Sequence, residues 1–414
     1  MLKIKPFQGL RPHVDYSQEV ASPPYDVLSS DEARKLVKDN PHSFLRINKP
    51  EVDFAENEQI EDNRIYEKGL ENLNRFIADE LMILDSKPCY YLYRLTWQEK
   101  SQTGLICLTS VEDYNQGKIK KHEHTRPDKV TDRAQHIMTL NAQVGPVFSI
   151  FDKNEKLLEV FKKVSDTKPT VDFTAEDSVH HSLWVIDNND DINKITSIFT
   201  EIDSIYIADG HHRSEAASEV CKLMKEENAN HTGEESYNFF LNVIFSADEL
   251  RILPYNRIVK DLNGLSEDKF IEAIKKNFSI TKSETPIEPS QNHEIGMYIK
   301  NQWYKLNIKE DSFDKNNPSE SIDAAILFDN LIKPVLGIEN IRTDKRIDFV
   351  GGIRGNKELI KLVDSGDWAV AFSMYSVSVQ QLIEVADANL VMPPKSTWFE
   401  PKLRSGMVIN ILDN

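Results

Sequence analysis

The sequence predicts an α/β or α+β protein of mixed sheets flanked by helices. Three observations carry this. Short runs rich in β-branched and aromatic residues alternate along the chain with stretches of helical apolar period. One such run, 204–208, ends in an Asp209-Gly210 turn signal, and Ala216, Ala217, Val220, Leu223 and Met224 then recur at helical spacing from Ser214 onward. The same order returns late in the chain, where Ile347-Asp348-Phe349-Val350-Gly351-Gly352 precedes Arg354-Gly355 and a helix over 357–363.

The elements follow in order. Residues 3–7 read as a strand. Pro23-Pro24 forces an extended segment that presents Tyr25 and Asp26 in fixed positions. A helix starts at Ser30, with Ala33, Leu36 and Val37 on one face, and Asn40-Pro41 ends it. Residues 56–82 form an amphipathic helix through Ile60, Ile65, Leu70, Leu73 and Ile77. Strands over 89–97 and 104–111 pair as a hairpin across 98–103. A polar stretch, 120–133, reads as extended or looped. A strand at 147–151, a helix and polar loop over 153–170, a stretch over 180–186 that starts polar and becomes a strand, and a short helix over 190–199 lead into the central strand. Beyond it come a strand over 239–245, a helix over 265–278 with Phe270, Ile271 and Ile274 inward, and a linker-like stretch near 281–294. A hairpin over 297–308, a strand over 369–375, a helix over 379–388 and a last strand over 407–412 complete the chain. Two regions are expected, 1–280 with the central turn and 295–414 completing a cleft.

Composition narrows the function. Of 414 residues, 40% are hydrophobic and 28% charged, as in ordinary globular proteins. The net charge of −17 weighs against a nucleic-acid binder or an anionic-membrane binder, since phosphate surfaces need a basic face. There is no apolar run of about 18 residues to span a membrane and no apolar segment near Met1 to act as a secretory signal. Three scattered cysteines (Cys89, Cys107 and Cys221) suit reduced core positions in a cytoplasmic protein.

Chemistry concentrates in three stretches. In the first, Asp209-Gly210-His211-His212-Arg213, a strand passes through a glycine turn into a helix. Unpaired N–H groups and the positive end of the helix dipole suit an anion there. Gly210 permits close backbone approach, and Arg213 can fork onto a phosphate. Turn side chains aimed at a ligand would add little to the core. The alternative is that Asp209 simply caps the helix while the histidines face solvent. The second stretch is Lys121-His122-Glu123-His124-Thr125-Arg126. If extended, it places His122 and His124 on one face, for a phosphate, a proton transfer or a metal, or else it is a self-paired loop. The third is Lys395-Ser396-Thr397 with Lys402 and Arg404, a proline-stiffened segment of cations and hydroxyls suited to a multi-oxygen anion, or a rigid surface loop.

At these residues the chain resembles, from end to end, the bacterial and archaeal family catalogued as domain of unknown function 1015. The matching motifs are Lys5-Pro6-Phe7, Gly9-Leu10-Arg11-Pro12, Ala21-Ser22-Pro23-Pro24-Tyr25-Asp26-Val27, Lys121-His122-Glu123-His124-Thr125-Arg126, Asp209-Gly210-His211-His212-Arg213, Arg346-Ile347-Asp348-Phe349-Val350-Gly351-Gly352 and Met392-Pro393-Pro394-Lys395-Ser396-Thr397-Trp398-Phe399. The central turn is also similar to the phosphate-binding turn of the ParB/sulfiredoxin superfamily, whose archaeal free-serine kinases carry an Asp-Gly-His-His-Arg-like version. That resemblance implies a ParB/sulfiredoxin-like strand-turn-helix, with Gly210, His211, His212 and Arg213 against nucleotide phosphates and serine or phosphoserine as substrate. The catalytic glutamate of those kinases aligns with no position here.

The expected function is therefore a nucleotide-dependent phosphotransferase on a small hydroxyl metabolite, a free serine kinase or a phosphoserine-converting enzyme, using ATP or ADP with Mg²⁺. Asp209, Glu123 and His211 are the catalytic candidates, with Asp209 also able to hold Mg²⁺. Asp26, Lys121, His122, His124, Arg126, Lys395, Ser396, Thr397, Lys402 and Arg404 are the substrate-binding candidates. Two alternatives stand beside it. One is a metal-dependent hydrolase or phosphatase liganded by His122, His124, Asp209, His211 and His212. The other is a non-catalytic sensor of a nucleotide or phosphorylated metabolite.

Overall fold

The computed structural model describes residues 1–56 and 58–412; Asn57, near the start of the helix expected over 56–82, lies outside them. The fold is mixed α/β. The chain divides into two compact units, Met1–Leu250 with Pro401–Asn414, and Arg251–Glu400.

The first unit is built on a nine-stranded mixed sheet. Its order runs Ile119–Lys120, Ile205–Asp209, Val147–Phe151, Phe239–Ser246, Lys100–Ser110, Tyr90–Trp97, His180–Ile186 and Val171–Thr174, with Ile4–Lys5 also paired to Lys100–Ser110. The expected hairpin is present and tighter than its sequence bounds, since Trp97 already pairs with Lys100. The two residues between them, Gln98 and Glu99, both have positive φ (48° and 63°), the geometry that matches the strands' twist. One face of the sheet buries Leu92, Leu105, Phe151 and Ile244 against Leu157, Phe161, Ile195 and Phe199 of the helices Glu155–Ser165 and Asn189–Thr200. Each such side chain contributes about 1.5–3 kcal/mol by leaving water.

A four-stranded sheet in the same unit runs Met82–Leu84, Gly9–Pro12, Ile409–Ile411 and Ala142–Gln143. It packs on the helix Asp62–Ala78, with Leu10, Phe44, Phe76, Leu140 and Ile409 in its core. The polar stretch expected to be extended is largely helical: Pro127–Leu140 forms a helix with proline in its first turn. Ala134 and Ile137 of that helix meet Ala216 and Val220 of the helix His211–Glu227. This contact fixes the central helix against the sheet.

The second unit holds a six-stranded antiparallel sheet in the order Phe278–Ser283, Gln302–Ile308, Glu294–Ile299, Val370–Ser373, Tyr255–Val259, Ile347–Gly351. The hairpin Glu294–Ile299/Gln302–Ile308 turns through Lys300 and Asn301, again both at positive φ. Phe270 and Ile274 of the helix Glu267–Ile274 are fully buried against it. The stretch expected as a linker begins inside a strand, because Thr281 to Ser283 pair with Lys305 to Trp303.

Candidate functional site

The central strand Ile205–Asp209 is buried through Ala208 and emerges at Asp209. Gly210 then takes φ 98° and serves as the N-cap of the helix His211–Glu227. The helix thus starts three residues earlier than its apolar period suggests, and the two histidines and the arginine occupy its first turn. Only glycine adopts this φ without strain. A Cβ at Gly210 would also lie 3.1 Å from Arg213 Nε and 3.3 Å from the Val147 Cα. Asp209 does not cap the helix by a side-chain bond to its first turn; its Oδ1 accepts the Gly210 N–H at 2.9 Å.

The first-turn side chains fold inward, contrary to the expectation that they add little to the core. His211 is 3% exposed. Its Nε2 accepts the His122 N–H at 3.4 Å, its ring meets the His122 ring edge to face at 4.5 Å, and its Nδ1 lies 4.0 Å from Glu123. Burial, with the neighbouring His122, holds its imidazole well below the usual histidine range, so it is uncharged. His122 is pushed down to about 4 by burial, although its ring bonds to the Ile207 carbonyl. Its Nδ1 has no hydrogen-bond partner among the described residues. His212 accepts the Arg126 N–H through Nε2 at 3.1 Å. Arg213 donates to the Pro146 carbonyl, and its Nη2 lies 3.5 Å from both Asp26 and Asp209.

Asp209 is the electrostatic centre. Burial works to raise its carboxyl, yet Lys402, Arg213 and the Gly210 N–H hold it well below the usual carboxylate range. The Lys402 Nζ stands 3.9 Å away. The chain therefore brings Asp26, His122, Glu123, Lys402 and the central turn together. Lys121 lies beside the same helix, 3.3 Å from Glu215 and over the Tyr114 ring. Arg126 is exposed and paired with Asp128 at 2.7 Å.

Other candidates have partners of their own. His122 and His124 do not share one face: His122 is buried and His124 exposed, because regular strand pairing ends at Lys120. Arg404 is buried, donating to Asp177 at 2.5 Å while its N–H meets the Tyr93 hydroxyl. Lys395, Ser396 and Thr397 belong to the second unit, where the Lys395 Nζ lies over the Tyr255 ring and the Ser396 hydroxyl donates to the Pro393 carbonyl. One neighbour of the turn, Arg133, is absent from the sequence candidates. Tyr25 and Arg133 stack at 4.5 Å beside Arg213. Proline at the first position of the helix that carries Arg133, followed by Val130, Ala134 and Ile137, was the available signal.

Among the described residues no group of three or more His, Cys, Asp or Glu side chains is disposed to hold a metal ion. This counts against the ligand set proposed for a hydrolase: His122 and His211 face each other as neutral rings, and Asp209 is engaged by cations. No described helix is long and apolar enough to cross a membrane.

A family model described as "Protein of unknown function (DUF1015)" matches residues 4–326. No curated protein matches the chain. Among solved structures it is similar to a mutant free serine kinase in complex with AMP, at 11% identity and TM-score 0.39, over 75% of this chain and 92% of that one. A conserved hypothetical protein from Pyrococcus furiosus matches at 13% identity and TM-score 0.35, over 74% and 95%. SbnI with C-terminal truncation from Staphylococcus aureus matches at 10% identity and TM-score 0.38, over 74% and 87%.

Proposed function

We propose that this chain, which belongs to the DUF1015 family of proteins of unknown function, is a nucleotide-dependent phosphotransferase acting on a small hydroxyl metabolite, free L-serine first. The observation that carries the reading is the opening of the helix His211–Glu227. A glycine N-cap at positive φ opens the helix without a side-chain cap, and Arg213 and Lys402 converge on Asp209 beside it. Phosphoryl transfer asks mainly for positioning and charge neutralisation, and this arrangement offers both. The nucleotide and serine parts of the reading come from the resemblance of the turn to that of the free-serine kinases.

In this reading the first-turn N–H groups and Arg213 hold phosphate oxygens, and Lys402 balances their charge. Asp209, kept ionised by its cations, orients Arg213 and Lys402 and is too weak a base to take a proton. Glu123 suits that task better: its side chain is 35% exposed and lies beside the uncharged His211. Asp209 is also a poor ligand for Mg²⁺, since its oxygens already face the Gly210 N–H, Arg213 and Lys402. The ion would enter bound to the nucleotide phosphates, where it neutralises charge. The protein acts in the cytoplasm on small molecules rather than on nucleic acid.

Incubation with ATP or ADP, Mg²⁺ and L-serine, followed by mass spectrometry for phosphoserine, tests the proposal. Phosphoserine formation, or its reversal from phosphoserine, supports it. Nucleotide-induced thermal stabilisation with no turnover on any hydroxyl amino acid favours a sensor instead.

A further inference from the structure

Two backbone-to-ring bonds join the stretch after Lys120 to the first turn of the helix His211–Glu227. The His122 N–H donates to His211 Nε2 at 3.4 Å, and the Arg126 N–H donates to His212 Nε2 at 3.1 Å. Strand pairing ends at Lys120 and the next helix begins at Pro127, so residues 121–126 belong to no regular element. Backbone groups in such a stretch need partners outside a ladder. Here two of them find imidazoles, and the bonds fall on either side of Glu123, His124 and Thr125. The second bond also ties Arg126, which precedes the helix Pro127–Leu140, to the start of its neighbour; the two helices then pack through Ala134, Ile137, Ala216 and Val220.

The bonds fix the state of each ring. A histidine that accepts through Nε2 is uncharged and carries its proton on Nδ1. Burial favours the same state for His211. The His122 ring meets the His211 ring edge to face at 4.5 Å and itself bonds to the Ile207 carbonyl of the central strand. Turning the His211 ring over would put a C–H where Nε2 now accepts, so its Nδ1–H stays directed at Glu123. The Glu123 carboxylate stands 4.0 Å from that nitrogen. Contacts of this kind are often long before substrate binds and tighten afterwards. Neither histidine offers its Nε2 to a phosphate, since a backbone N–H already occupies it.

We propose that His211 and His212 are positioning residues, a two-point clamp that holds the loop 122–126 against the helix start and keeps Glu123 beside the turn. The task of Glu123 as a base rests on the phosphotransferase reading; the clamp itself does not.

Hydrogen exchange of the full chain, read by mass spectrometry over residues 121–126, tests the clamp. His211→Leu and His212→Leu remove an acceptor and should speed exchange of this segment about tenfold more than that of the strand Phe239–Ser246. His211→Gln and His212→Gln, whose side-chain carbonyl reaches the place of Nε2, should recover most of the protection. Nitrogen NMR of the native protein should show both rings protonated at Nδ1 and unprotonated at Nε2, and it decides where a leucine variant does not fold. At position 212 leucine should lower kcat for phosphoserine formation more than it raises the ADP Kd, and glutamine should recover most of the loss. Native exchange in both leucine variants, a proton on Nε2 of either ring, or an ADP Kd raised alike by leucine and glutamine at 212 overturns the clamp. The two readings fail separately. Clamped loop amides without phosphate transfer remove the phosphotransferase and keep the clamp. Phosphate transfer by a protein whose leucine variants exchange like the native chain removes the clamp and keeps the phosphotransferase.

Discussion

Mild acid should destabilise the protein, and the buried histidines of the first unit set the size of the effect. His122, His136, His181 and His211 are at most 3% exposed. Burial pushes His122 down to about 4, His136 and His181 to about 3, and His211 well below its usual range. Each folded pKa lies below the unfolded value of 6.5, so the unfolded chain binds more protons below that pH. Their stability contribution is complete above pH 6.5 and is lost as pH falls towards 4. Between pH 7.5 and 5.5 each histidine costs about 1.4 kcal/mol, and four cost about 5–6 kcal/mol. Carboxyls raised by burial oppose this. Asp323, in the second unit, is pushed up to about 7 and returns about 2 kcal/mol over the same interval. Glu249 is raised as well and acts in the same direction. The net loss of about 3–4 kcal/mol is a large share of a typical total of about 5–15 kcal/mol. Urea titrations at pH 7.5 and 5.5, followed by far-ultraviolet circular dichroism, measure it. Replacing His136 and His181 by glutamine should remove about half of the histidine contribution. Stability at pH 5.5 equal to or above that at pH 7.5 would refute the assignment of four buried neutral imidazoles.

Three further outcomes follow from the turn. Gly210→Val should cost about 2–5 kcal/mol, combining strain at φ 98° with crowding against Val147; Gly210→Asn, which tolerates positive φ better, should cost less than half as much in the same thermal melts. His211→Ala and Arg213→Ala should each weaken nucleotide binding about ten- to a hundredfold by titration calorimetry. They should also lower stability by about 1–3 kcal/mol, because His211 is buried, Arg213 is largely so, and both are bonded. Lys402→Met should flatten the salt dependence of nucleotide binding and weaken it about tenfold, a change read by titrating at two ionic strengths.

The sequence made the local elements legible and left their assembly unread. Both hairpins show as alternating apolar runs around polar pairs, since a strand's two-residue period survives in any context. The strand-glycine-helix order of the central turn was equally plain. Its true helix start was not, because His211 and Arg213 carry no apolar signal although they pack inward. The helix Pro127–Leu140 was missed for a related reason. Its opening is dense with charge, and its inner face mixes His136 with Ala134 and Ile137. The pairing of Lys402 with Asp209, the strand Ile409–Ile411 beside Gly9–Pro12, and the meeting of Asp26 with Arg213 join residues far apart in the chain. No local pattern encodes such contacts. They follow from which strand edges remain to be paired once the sheets have formed.

In the proposed function the first turn of the helix His211–Glu227 holds phosphate. A crystal structure of the protein soaked with ADP tests it most directly. β-Phosphate oxygens are expected within about 3.2 Å of first-turn N–H groups, with Arg213 or Lys402 turned towards them. Nucleotide bound elsewhere, with the Gly210 turn and both cations still closed on Asp209, would contradict it.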